Sequence, residues 1–243
     1  EPTGQPTRQP SSEPSRQPTS QSTETPSQST SEIRNVIVLM DSRYVDSYEA
    51  GNTLVSITSF PNVTTTSLMS YQSNSIADGL LIGIDALVIP ELESGSFFGA
   101  LSASDVAALR AYCEEGDGRL IVLGANRYWL GYDIELLNRL FGFALSHFGD
   151  GIHCETGSVS YVAYTGTSSM FDSGPSTLPY RSAIYCLDAS SLPTTATNVY
   201  GDSSVTWVST FLADAVVFIG FDWWETSAIE DWESVLHIAI TDT

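Results

Sequence analysis

The chain has 243 residues, 29 acids against nine arginines and no lysine, and a formal net charge of −20 at pH 7. Such a balance excludes a nucleic-acid partner, whose phosphates need a basic footprint, and argues equally against an anionic membrane surface. Only 16% of residues are charged, so solubility rests on Ser, Thr, Asn and Gly, as in many secreted glycosylated proteins, and no apolar run reaches the ~18 residues that would span a bilayer.

The first 32 residues form a unit of their own. Pro2-Thr3-Gly4-Gln5, Pro6-Thr7-Arg8-Gln9, Pro10-Ser11-Ser12-Glu13, Pro14-Ser15-Arg16-Gln17 and Pro18-Thr19-Ser20-Gln21 follow one four-residue rule, continued loosely through Thr23, Pro26 and Ser27. No apolar side chain larger than proline precedes Ile33, so the tract cannot bury a core. Proline at every fourth position fixes φ and removes donors, which predicts an extended polyproline II rod. At ~3.1 Å per residue it would reach roughly 90–100 Å. Its hydroxyls turn by about a third of a revolution per repeat, so attached sugars would coat all sides. The tract resembles hydroxyproline-rich and mucin-like wall glycoproteins. That likeness implies O-linked sugars or modified proline at Pro2, Thr3, Pro6, Thr7, Pro10, Ser11, Pro14, Ser15, Pro18, Thr19, Thr23, Pro26 and Ser27. The chain begins at Glu1 rather than Met, so a preceding segment, with a signal peptide, is expected.

From residue 33 onward the pattern is that of an α/β domain. Ile33–Asp41 is an apolar run closed by an acid, as a central parallel strand reads. A helix is expected over Tyr48–Phe60, a second strand over Val63–Leu68, a short helix over Ser75–Ile82 and a third strand over Ala86–Pro90. Ser102 and Asp105 make a capping box for a helix whose inner face carries Val106, Leu109, Tyr112 and Cys113, with Gly116 at its end. Leu120–Gly124 is a fourth strand, and Asp133–Phe141 a helix closed by Gly142. Short alternating strands follow at Val159–Tyr164, Ala183–Leu187 and Asn198–Tyr200. A hairpin then joins Val205–Phe211 to Ala215–Gly220 across Leu212-Ala213-Asp214. The last helix, Glu230–Ile240, turns Trp232, Val235, Leu236 and Ile240 inward. The expectation is a doubly wound, mostly parallel sheet with antiparallel additions to the same sheet at its C-terminal side.

The stretches Leu101–Tyr112, Gly116–Gly124 and Ala215–Trp223 are similar to the class I glutamine amidotransferase-like superfamily, and in particular to its non-catalytic or uncharacterised members. Enzymes of that superfamily place a nucleophilic Cys on a sharp strand–helix turn and bring a His from later in the chain. Here the turn after the fourth strand reads Val122-Leu123-Gly124-Ala125-Asn126-Arg127, with no Cys and no G-x-S-x-G frame. Neither His147, His153 nor His237 is visibly paired with a nucleophile. The domain is therefore expected to be catalytically inert.

Other residues carry two readings each. Asp222-Trp223-Trp224-Glu225 follows a strand end, where ligands gather in open α/β sheets. Trp223 and Trp224 would either stack on sugar rings or divide between core and subunit contact. Glu114-Glu115-Gly116-Asp117 and Glu230-Asp231-Trp232-Glu233 lack the alternating-oxygen loop of a calcium site and read as solvated helix ends. No metal site or cofactor is expected. Asn62-Val63-Thr64 is the one N-glycosylation sequon. Of the three cysteines, Cys113 falls in a helical core pattern, which leaves Cys154 and Cys186 as the candidate disulfide of an extracellular protein. The leading expectation is a secreted subunit of a glycosylated fibre or surface appendage, with copies of itself and attached glycans as partners. A carbohydrate-binding or adhesion module on a stalk and an amidotransferase-like hydrolase are the alternatives.

Overall fold

The computed structural model describes residues 32–124, 131–149, 154, 161–163, 165, 168–179, 184–224 and 229–242. The tetrapeptide tract with its candidate modification sites, the turn at 125–130, His153 and Glu225 lie outside the described residues.

Four parallel βα-type strands build the centre: β1 (Arg34–Leu39), β2 (Val63–Leu68), β3 (Ala86–Ile89) and β4 (Arg119–Leu123). A fifth parallel strand, β10 (Val216–Ile219), joins them beside β4. The sheet order is β2-β1-β3-β4-β10-β9-β7, where β7 is Leu187–Asp188 and β9 is Val205–Phe211; β8 (Thr197–Gly201) also pairs with β9. Pairings of β9 with β10, β7 and β8 are all antiparallel. The chain leaves β1 outward to β2 and returns to β3 on the other side of β1, so the winding direction switches between β1 and β3.

Side chains alternate across the central strands and split the core in two. Val36, Val38, Val88, Ile121, Leu123, Val217 and Ile219 face α1 (Ser47–Ser59) and α4 (Glu230–Thr241), meeting Ile57, Trp232, Val235 and Leu236. Ile37, Leu39, Leu87, Ile89, Leu120, Val122 and Phe218 face α2 (Ala103–Glu114) and α3 (Tyr132–Phe141), meeting Leu109, Cys113, Leu136, Leu137 and Leu140. Both faces of the parallel strands are thus covered, which is why they read as unbroken apolar runs. The architecture is the expected doubly wound α/β sheet with antiparallel strands toward the C-terminus.

Differences from expectation have local causes. Ser75–Ile82 forms only one π-type turn, Ile76–Leu80, because Asp105 takes the amides of Asn74, Ile76 and Ala77 at 2.7–3.1 Å and Gly79 turns to φ +104°. Of the strand expected at Val159–Tyr164, the described residues are β5 (Tyr161–Ala163). It pairs with β6 (Thr177–Pro179) as a separate two-stranded ladder rather than as an addition to the main sheet. Ala183–Leu187 contributes only its end to β7, with Ile184 bridging to Phe221. Gly116 does not take the left-handed conformation; its amide bonds Ala111 O at 3.1 Å, and a Cβ there would lie 2.9 Å from Tyr112 O. Gly142 does close α3 in the left-handed region, at φ +71°.

Candidate functional site at the carboxyl ends of the strands

Three central strands end in an acid. Asp41 follows β1, Glu91 follows β3 and Asp222 follows β10. Carboxyl ends of parallel strands, near the point where the winding direction switches, are where open α/β sheets take ligands. These acids serve two different ends.

Asp41 is saturated. Its carboxylate accepts from the Arg43 amide (3.1 Å), from Arg43 Nε (3.0 Å) and from the Tyr71 amide (2.8 Å). The Arg43 guanidinium, helped by these amides, holds its pKa down at about 2 against the cost of burial. Asp105 behaves likewise. Burial pushes its carboxyl up, but the Ser102 hydroxyl and the amides of Ala77 and Asn74 outweigh that and keep it well below the usual range. Asp41 ties the Tyr71 loop to the end of β1, and Asp105 ties the Asn74–Ala77 segment to the start of α2.

Glu49, Glu91 and Asp222 form a different set. Glu91 is fully buried; the Trp223 amide donates to its Oε1 at 3.0 Å, and its Oε2 has no hydrogen-bond partner among the described residues. Glu49, at the third position of α1 and 4% exposed, also has an unpartnered Oε2. Asp222 is 6% exposed and accepts from the Trp224 amide at 2.7 Å and from the Tyr185 hydroxyl at 3.4 Å. Burial, then the charges of Asp222, Glu93 and Asp46, push Glu49 up to about 9. Burial, Asp222 and Glu49 push Glu91 well above the carboxylate range. One carboxyl oxygen from each of Glu49, Glu93 and Asp222 lies within 4.8 Å of the other two.

Local packing explains how the set is assembled. Asp46 caps α1 by accepting from the Tyr48 and Glu49 amides, which sets Glu49 in the first turn. Gly124 and Gly220 stand side by side past β4 and β10: a Cβ on Gly124 would be 3.0 Å from Gly220 Cα, and one on Gly220 would overlap the Tyr185 carbonyl. That close approach is open only to glycine. The chain then runs to Trp223, whose backbone is clamped between the Glu91 carboxyl and Asn52 Nδ2 (2.9 Å).

The two tryptophans part company. Trp223 is 1% exposed; its Nε1 donates to Ser56 Oγ at 3.3 Å, and Ser56 donates to Glu233 at 2.7 Å. Trp223 is therefore core and not a ligand contact, and Glu233 is a tie between α1 and α4 rather than a solvated helix end. Trp224 is 60% exposed and meets Tyr48, 55% exposed, edge to face with centroids 5.5 Å apart. Their immediate neighbours in sequence include Glu49 and Trp223, next to Asp222, so the exposed aromatic pair borders the carboxyl set.

Other expected residues sit apart from this edge. Cys154 and Cys186 are joined in a disulfide, Cα–Cα 5.7 Å, and Cys113 is a buried thiol that burial pushes up to about 12. Asn62 is exposed at φ +60° in the turn before β2. His147 approaches Asp133 at 3.5 Å, and His237 packs on the Phe60 ring. At the opposite end of the sheet, a groove includes Arg34 and Arg119. Arg34 pairs with Asp85, while Arg119 donates to the carbonyls of Asp214, Ala239 and Asp242, so both are engaged in holding the fold.

Sequence reasoning singled out Asp222 only within its Trp-Trp motif and missed Glu49, Glu91 and Glu93. For Glu91 the signal was present: a buried strand followed within three residues by an acid, as at Asp41 and Asp222; Glu49, in the first turn of α1, and Glu93, four residues past β3, carry no such signal. What separates the satisfied acid from the unsatisfied ones is the number of amides aimed at it, which spacing does not reveal.

No protein-family model matches the chain, and no curated protein sequence does. Solved structures do. A protein of Thermoplasma acidophilum similar to a GMP synthase subunit aligns over 86% of this chain and 93% of its own, with TM-score 0.53 and 10% identity. A ThuA-like protein of Bacteroides uniformis aligns over 86% and 91%, with TM-score 0.52 and 8% identity. Agd3, a carbohydrate deacetylase, aligns over 86% of this chain but 32% of its own, with TM-score 0.55 and 15% identity. These likenesses show one thing: the described domain has the glutamine amidotransferase-like α/β fold.

Proposed function

We propose that the α/β domain is a non-catalytic carbohydrate-binding head of an extracellular glycoprotein, carried on the Pro/Ser/Thr tract as an O-glycosylated stalk. The observation that carries this reading is the exposed Tyr48–Trp224 pair bordering the buried carboxyls. Sugars offer an apolar ring face and a rim of hydroxyls. An exposed aromatic ring covers the face, and carboxylate oxygens accept from the rim. The Cys154–Cys186 disulfide supports an oxidising, extracellular setting. The turn after β4 offers neither Cys nor Ser, which supports binding over acyl-transfer chemistry. The exposed Asn62 sequon is a proposed N-glycan site.

A glycan array probed with the full chain tests this. Binding to a defined class of sugars is expected, and Trp224→Ala should weaken it at least tenfold while leaving the unfolding transition in place. Silence across the array would overturn the reading. It would leave the second one, favoured by the strict repeat of Pro2–Gln21: an inert subunit of a glycosylated fibre, built from copies of itself. Electron micrographs of the secreted material distinguish the two, since only the second requires filaments.

A further inference from the structure

We infer that Glu49, Glu93 and Asp222 form the protein side of a binding site for a hard divalent cation of calcium's size, beside the buried Glu91 that holds the Trp223 amide. The inference rests on the carboxyl edge being the working site, and it adds what that site holds.

Geometry comes first. The three donor oxygens all lie within 4.8 Å of one another. Oxygens on one Ca²⁺ sit about 2.3–2.6 Å from the ion, so two donors on opposite sides are at most about 5 Å apart. The spacing is that of donors able to share a single ion of that size. Mg²⁺ demands a tighter octahedral shell and gives up its waters reluctantly, so it suits an all-protein carboxyl set less well. The donors are carboxylates only, with no thiol or imidazole among them, which selects hard cations over zinc or copper.

The second observation is independent of the clustering. Glu49 and Glu91 each bury a carboxyl oxygen that has no hydrogen-bond partner among the described residues. A buried acceptor left unpaired is costly, and proteins rarely tolerate two at one place without a ligand. Asp41 and Asp105, by contrast, have their carboxylates met by amides and by a guanidinium or a hydroxyl. Here the neighbours are themselves acids: Asp46, Glu93 and Asp222 all bear on Glu49. A divalent cation held by Glu49, Glu93 and Asp222 would give Glu49 a partner and cancel the mutual repulsion of the set. Placed there, the ion would lie at the foot of the Tyr48–Trp224 pair, where an open coordination position could accept sugar hydroxyls.

Terbium serves as the probe, since it substitutes for calcium and emits when a nearby tryptophan is excited. Trp223 and Trp224, adjacent to Asp222, are placed to sensitise it. Full-length protein at physiological salt should give saturable terbium emission that Ca²⁺ displaces and Mg²⁺ displaces at least tenfold less well. Asp222→Asn should reduce affinity at least tenfold. Glu93→Gln, at a half-buried position, is the second variant and should do the same. Glu114→Gln at the exposed end of α2 should change nothing. Emission that fails to saturate, or that ignores both site variants, would overturn the cation site. The two readings fail separately. Sugar binding that survives chelation with EDTA leaves the carbohydrate head standing without a cation. Saturable, variant-sensitive terbium binding with a silent glycan array leaves the cation site standing without the sugar.

Discussion

Asp41 accepts from a guanidinium and two backbone amides, and its ionised form is stabilised accordingly. Its pKa falls from 3.8 to about 2 on folding, with Arg43 as the first cause. A depressed carboxyl contributes stability above its unfolded pKa, and that stability drains away as pH falls toward the folded value. With allowance for the exposure of Arg43, the contribution is about 1–2 kcal/mol. Urea unfolding of wild type and Asp41→Asn should differ by that amount at about pH 6, and the gap should close between about pH 4 and pH 2. A gap that stays constant with pH would show that shape, not charge, is what Asp41 supplies. The sequence displayed Asp41 as an acid closing an apolar run, and it displayed Glu91 and Asp222 in the same way. It could not display that the Tyr71 amide points at one and that little but other carboxyls faces another. That difference arises from contacts 30 and more residues apart, the range over which local pattern is silent.

At the scale of elements, pattern was the better guide. The capping box of Ser102 and Asp105, the apolar cores of β1, β3, β4 and β10, and the inward face of α4 all stand where spacing put them. Period-2 and period-3.6 patterns report burial directly, so elements buried on both faces or along one stripe are legible. β6 was not, because a three-residue strand carries no period to read, and so the separate pairing of β5 with it went unseen. Gly220 shows what pattern hides. In sequence it is one glycine ending a strand; in the fold, β10 passes so near Tyr185 that a side chain would overlap that residue's carbonyl oxygen. The amide of Tyr185 in turn bonds Gly220 O at 2.7 Å, so the two backbones cannot separate without loss. Gly220→Ala should therefore destabilise the domain by about 3 kcal/mol or more. It should also disturb the Asp222–Trp223 segment that follows, seen as a shifted tryptophan emission. A neutral outcome in urea unfolding would mean that the crossing has slack.

At the scale of the molecule, the described domain carries a covalent staple. Cys154 and Cys186 are 32 positions apart and close a loop that reaches the antiparallel side of the sheet through Cys186, just before β7. Closing a loop of that length restricts the unfolded chain and stabilises the folded one by about 3–4 kcal/mol. Cys113 takes no part, since it is buried among the residues of α2 and β4 and burial raises its thiol to about 12, leaving almost no thiolate at neutral pH. These facts fix the outcome of a thiol assay. The native protein should react with none of its cysteines, the denatured protein with one, and the denatured and reduced protein with three. Cys154→Ser with Cys186→Ser should lower the urea midpoint by an amount matching the staple, with cooperative unfolding retained, because the two apolar layers on the parallel strands do not depend on it. If the double variant instead unfolded at the wild-type midpoint, the closed loop would be contributing nothing to stability, and its place in the fold would have to be explained by assembly or secretion alone.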